Sequence, residues 1–123
     1  MNQIGLLMGT LMQSRTQAHI YHLQATGEGS YAAHVALQAY YEGIVDLIDG
    51  IVESYQGRYG ILTGYIMTGV IKEDNASYMY FDALSKFVEK VREQCPQDSF
   101  IQNEIDNVVN LIESTKYKLK NLK

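Results

Sequence analysis

Three observations predict an all-α chain: a single proline in 123 residues, little strict alternation of apolar and polar positions, and apolar residues recurring at spacings of three and four from end to end. The length fits one domain over residues 1–123. The expected architecture is an antiparallel bundle of four main helices, with a short helix or a packed crossover between the second and third.

The first helix is expected over about 3–25, with Ile4, Met8, Leu11, Ala18 and His22 in one stripe and Arg15 its polar interruption. His22 therefore points where the core residues point, and His19 lies one turn away. Thr26, Gly27, Glu28, Gly29 and Ser30 read as a turn, with Ser30 as N-cap of the next helix. So short a connection implies antiparallel neighbours.

The second helix, about 30–56, carries a broad apolar arc that includes Leu37, Tyr40, Ile44, Ile48 and Ile51. Beside it run Glu42, Asp46, Asp49 and Glu53, at spacings that keep them on one helical face, with no Lys or Arg in the helix to relieve them. His34 and Gln38 sit at the edge of that stripe. It reads either as a metal site or as an acidic face whose counter-charges lie on another helix. Ala36, Ala39, Gly43, Gly50 and Ser54 form a strip of small residues that suits a close neighbour.

After this helix the glycine-punctuated run 57–75 is too long for a tight turn and too apolar to face solvent, so it is expected to pack at an interface. Gly60 and Gly64 read either as bends or as points of close approach to another chain. The third helix, about 75–94, turns Tyr80, Phe81, Leu84, Phe87, Val88 and Val91 inward and ends at Cys95-Pro96. The fourth starts at Asp98 or Ser99, where Ser99 and Gln102 make a capping-box pattern, and runs through Ile101, Ile105, Val108, Ile112 and Leu119. Lys116, Lys118, Lys120 and Lys123 crowd its last turns, where cations complement the helix dipole; a nucleic-acid contact is the weaker reading of them.

A net charge of −4 argues against tight nucleic-acid binding by the body of the protein. One cysteine leaves no intrachain disulfide and no Cys-rich zinc site, so a cytoplasmic setting is expected. No signal-peptide pattern opens the chain and no window reaches the length of a membrane span, so no membrane partner is expected. Phosphate-binding loops and serine or cysteine nucleophile motifs are absent from the sequence.

From His22 onward, a glycine five residues later (Gly27), a second histidine twelve later (His34), and then Asp49 and Glu53 resemble the ferritin-like Dps family, the DNA-binding proteins from starved cells. His19 stands where that family often has a further histidine. The resemblance covers about 35 residues by spacing and the remainder by helix count and order. It implies a ferritin-like four-helix bundle and a homo-oligomer, from a dimer up to a dodecameric shell. Its iron site would lie between subunits, with metal ligands His22 and His34 from one and Asp49 and Glu53 from another, supported by His19, Gln38, Glu42 and Asp46. The implied activity is binding and oxidation of Fe(II) by peroxide or oxygen, with storage of the product and no organic cofactor. Gln38 replaces a carboxylate of the family, Leu23 its tryptophan and Ser54 its usual arginine, and no Lys-rich N-terminal arm is present to carry DNA binding.

Each residue also has a plainer reading. His22 alone reads as a hydrogen-bonded core histidine, and the ten tyrosines as amphipathic packing. The alternative function is a catalytically silent helical oligomer that acts as a scaffold or interaction protein.

Overall fold

The computed structural model describes residues 2–122. Among them are four α-helices and no strand: α1 (Ile4–Gln24), α2 (Ser30–Tyr59), α3 (Ser77–Val91) and α4 (Ser99–Asn121), with one 3₁₀ turn (Arg92–Gln94) after α3. A single core joins all four, built from Leu7, Met8 and Leu11 of α1, Leu37, Tyr40, Ile44 and Ile51 of α2, Phe81 and Val88 of α3, and Ile101, Ile105, Val108 and Ile112 of α4. The periodic residues of the sequence supply this core. Ser14 is satisfied within it, its hydroxyl donating to the Leu11 carbonyl and meeting the Tyr40 hydroxyl at 2.7 Å, whereas the buried Glu104 Oε2 packed on Gly50 has no hydrogen-bond partner among the described residues.

Side-chain and backbone pairings fix the helix directions. His22 meets His34, and Asn2 meets Tyr55, so α1 and α2 are antiparallel. Leu111 faces Gly43 and Glu104 faces Gly50, while Arg58 of α2 pairs with Asp98 just ahead of α4, so α2 and α4 are antiparallel too. Lys116 bonds Asp82, and Arg92 bonds Gln102 and Asp106, which sets α4 antiparallel to α3. The order is therefore up, down, down, up. The connection from α2 to α3 has to travel the length of the bundle.

That connection, residues 60–76, is an irregular strap that climbs α1 along a single i, i+4 row. At the bottom Gly5 and Gly9 admit its backbone: a Cβ on Gly5 would overlap the Gly64 carbonyl, and one on Gly9 the Ile66 carbonyl. The Ile66 N–H donates to the Gly5 carbonyl. Higher up, the Gln13 amide donates to Gly69 O, and the buried Gln17 both donates to Lys72 O at 2.8 Å and accepts from Lys72 N at 2.6 Å. At the top the Tyr21 hydroxyl donates to Asp74. Burial and this carboxylate both push the Tyr21 hydroxyl well above its ordinary value, so it stays a donor.

Some open alternatives are decided here, and some expectations are corrected. The crossover is packed and contains no helix, yet within one chain only Leu62 of its large apolar residues is buried, while Ile61, Tyr65, Ile66, Met67 and Val70 are exposed. Gly60 and Gly64 bend the chain at φ of 91° and 83° with nothing near their missing Cβ; close approach falls to Gly5 and Gly9. The small strip on α2 faces α4 of the same chain at Gly43 and Gly50. Ser30 opens α2 as its first residue, Gly29 taking the cap position at φ 78°. No capping box forms at α4, because Gln102 accepts from Arg92 and donates to the carbonyls of Arg92 and Pro96, tying the α3–α4 corner. Cys95 is buried in the core, and burial pushes its thiol up to about 11, so it is a packing residue.

Candidate metal-binding face

The α1–α2 hairpin places His22 and His34 ring on ring, centroids 3.6 Å apart and 22° from parallel. The pairing is reciprocal: Nδ1 of His22 lies 2.7 Å from the His34 carbonyl oxygen, and Nδ1 of His34 lies 3.0 Å from the His22 carbonyl oxygen. A carbonyl only accepts, so each Nδ1 carries a proton. In the neutral ring Nε2 then keeps its lone pair, and no hydrogen bond to either Nε2 is found among the described residues. A metal-ligating histidine is commonly oriented in this way, by a carbonyl that fixes its tautomer.

Tyr41 braces the cluster. Its ring stacks on His19 at 4.4 Å and meets His22 edge-on at 5.3 Å. His22 is buried, His34 half-buried and His19 exposed. Around them Leu23 and Tyr31 are 69% and 79% exposed, and Val35 is exposed as well, an apolar collar that this chain leaves uncovered.

The carboxylates lie at the other end of the same face. A rise of about 1.5 Å per residue puts Asp49 about 22 Å and Glu53 about 28 Å along α2 from His34. One chain therefore cannot bring these histidines and carboxylates to one ion, and among the described residues no three His, Cys, Asp or Glu groups gather into a metal cluster. Gln38, Glu42, Asp46, Asp49 and Glu53 are all exposed, and none of the four carboxylates has an ion pair within the described residues. Asp49 lines a groove of about 510 Å³ with Met12, Arg15, Thr16, Val45, Ile48 and Met67.

Arg15, Met67 and Tyr41 border this face although no motif marks them in the sequence. Arg15, His19 and His22 share the i, i+4, i+7 spacing of one helical face, the same signal that marked the acidic stripe on α2. The C-terminal lysines divide differently. Lys116 is held by Asp82 at 3.0 Å and Glu113 at 3.3 Å, which occupies its charge within the fold. Lys120 and Lys116 flank the Tyr78 ring, Lys118 is half-buried, and Lys123 lies outside the described residues.

The model of a family of unknown function (DUF5856) matches residues 22–119. The chain belongs to that family. The DUF5856 match starts at His22 and takes in His34, Asp49 and Glu53, while Arg15 and His19 precede it. No curated protein and no solved structure matches the chain. No described helix is long and apolar enough to cross a membrane.

Proposed function

We propose that this protein is a Dps-like, ferritin-like homo-oligomer that binds Fe(II) between copies, His22 and His34 of one copy with Asp49 and Glu53 of a second, and oxidises it with peroxide or oxygen for storage. The observation that carries this reading is the reciprocal His22–His34 pair, whose Nδ1 protons are spent on carbonyls so that both Nε2 lone pairs stay free for a metal. Histidines at one end of a face and carboxylates at the other make that face self-complementary under a two-fold axis. Further support comes from the uncovered collar of Leu23, Tyr31 and Val35, and from the up, down, down, up helix order with one long crossover, the connection pattern of ferritin-like bundles.

Fe(II) is the substrate here. Mixed imidazole and carboxylate donors suit it and leave exchangeable positions for the oxidant. Gln38, exposed on the same row of α2, contributes a neutral amide where the family resemblance has a carboxylate, so the ligand charge rests on Asp49 and Glu53.

The test is anaerobic Fe(II) titration, followed by oxidation monitored by absorbance after peroxide is added. Wild type is expected to bind saturably and to oxidise Fe(II) faster than buffer. His34→Ala and Asp49→Ala are each expected to lose both properties. Refolded together in equal amounts, the two variants should regain about a quarter of the wild-type capacity, because half the pairs are mixed and each mixed pair holds one intact site of two. Wild type that behaves like buffer, or a mixture with no recovery, overturns the reading.

A further inference from the structure

The exposed face of α1 carries Arg15 and His19, leading up to the buried His22, and the exposed face of α2 carries a line of acids. Arg15, His19 and His22 follow one another up α1, while Glu42, Asp46, Asp49 and Glu53 run down α2. Arg15 is exposed and has no ion-pair partner among the described residues, and neither have the four carboxylates. An unrelieved acid stripe beside an unpaired arginine is unfavourable in one chain and favourable where a second chain matches each acid with a base.

The register of that match follows from the site proposed above, on which this inference rests. Bringing His34 level with the Asp49–Glu53 pair of an antiparallel copy puts the two-fold axis at the level of Glu42 and Gly43. Arg15 lies close to that level: it is seven residues before His22, which meets His34, so in the antiparallel hairpin it stands near residue 41 of α2. We infer that a second copy of this chain docks on the α1–α2 face with Arg15 of each copy paired to Glu42 of the other at the two-fold axis. Without the arginines, two Glu42 carboxylates would meet there and repel. The same register carries Asp46 of one copy to the level of His19 of the other. Met12, Val45 and Met67, which line the groove beside Arg15, supply apolar contact around the pair.

Association is therefore expected without metal, and it depends on this pair. Sedimentation velocity in EDTA is the measurement, on wild type, Arg15→Glu, Glu42→Arg and the double variant. Both positions are exposed, and far-UV circular dichroism confirms that each variant is folded. Each single reversal places four like charges at the axis and is expected to weaken association roughly tenfold or more, with the double reversal restoring it. Wild type that stays monomeric in EDTA, single reversals that associate like wild type, or a double variant that fails to recover would each overturn the pair. The iron reading fails separately: association that obeys the charge reversals with no Fe(II) uptake removes the metal and keeps the interface, whereas Fe(II) uptake with association indifferent to the reversals does the opposite.

Discussion

Gly9 and Ile66 meet backbone to backbone, with the Ile66 carbonyl occupying the space where any other residue at position 9 would carry its Cβ. Gly9→Ala must displace the strap from α1 and is expected to cost about 1–3 kcal/mol. Gly43 is also helical, but a Cβ there would stand 3.5 Å from a Leu111 methyl, an ordinary contact. Gly43→Ala is expected to stabilise by about 0.5–1 kcal/mol through helix propensity. Urea unfolding of the two variants should therefore shift the midpoint in opposite directions.

Gln17 holds the strap by both ends of its amide, to the N–H and the carbonyl of Lys72. Gln17→Ala leaves those groups to water and is expected to cost about 1–3 kcal/mol. Native-state hydrogen exchange localises the effect: the Lys72 amide should exchange much faster, while amides of α2 and α4 keep their protection. Uniform acceleration across all helices would show that the latch is not local.

His34→Ala removes one hydrogen bond to the His22 carbonyl and the stacking between the rings. The expected loss is about 1–2 kcal/mol in urea unfolding, and more for His22→Ala, because His22 is buried and also contacts Tyr41. Unchanged stability in both variants would mean that the pair does not brace the end of the hairpin.

The Lys116 ammonium, and after it that of Lys86, holds the Asp82 carboxyl below its ordinary value. A depressed folded-state value stabilises the fold above the unfolded carboxylate range, near about 3.9, and that stabilisation is lost as pH falls through the folded value. Lys116→Gln should raise the Asp82 titration midpoint, read by carboxyl-detected NMR, and flatten the fall in stability below about pH 4. An unmoved midpoint would remove Lys116 as the cause.

Helices and core were legible because the three-and-four spacing of Ile101, Ile105, Val108 and Ile112, or of Leu37, Tyr40, Ile44 and Ile51, admits no other period. The path of the strap was not. Gly5 and Gly9 look like interruptions in a linear sequence and become a docking groove only when another segment lies on them. Gln102 matches a capping box in spacing, but Arg92 engages it from a neighbouring element, a competition no local pattern records. The histidine pair was half legible: a family resemblance implied that His22 and His34 act together, while their reciprocal carbonyl bonds depend on how α1 and α2 lie across the turn. Arg15 looked like a flaw in an apolar stripe until the hairpin set it in the groove beside Asp49.

The strap is attached to α1 at Gly5, Gly9, Gln13, Gln17 and Tyr21, so the helix acts as a ruler for the connection above it. Four helical residues advance about 6 Å, which two or three residues of extended chain can span. The strap keeps that step, reaching Ile66, Gly69, Lys72 and Asp74 in turn. Between Gly64 and Asp74 the length of this segment is thus set by the helix beneath it, and deleting one residue would put every later attachment out of step. Added residues are accommodated between Gly60 and Ile61, ahead of the buried Leu62, where a Cβ on Gly60 would meet nothing and Ile61 is exposed.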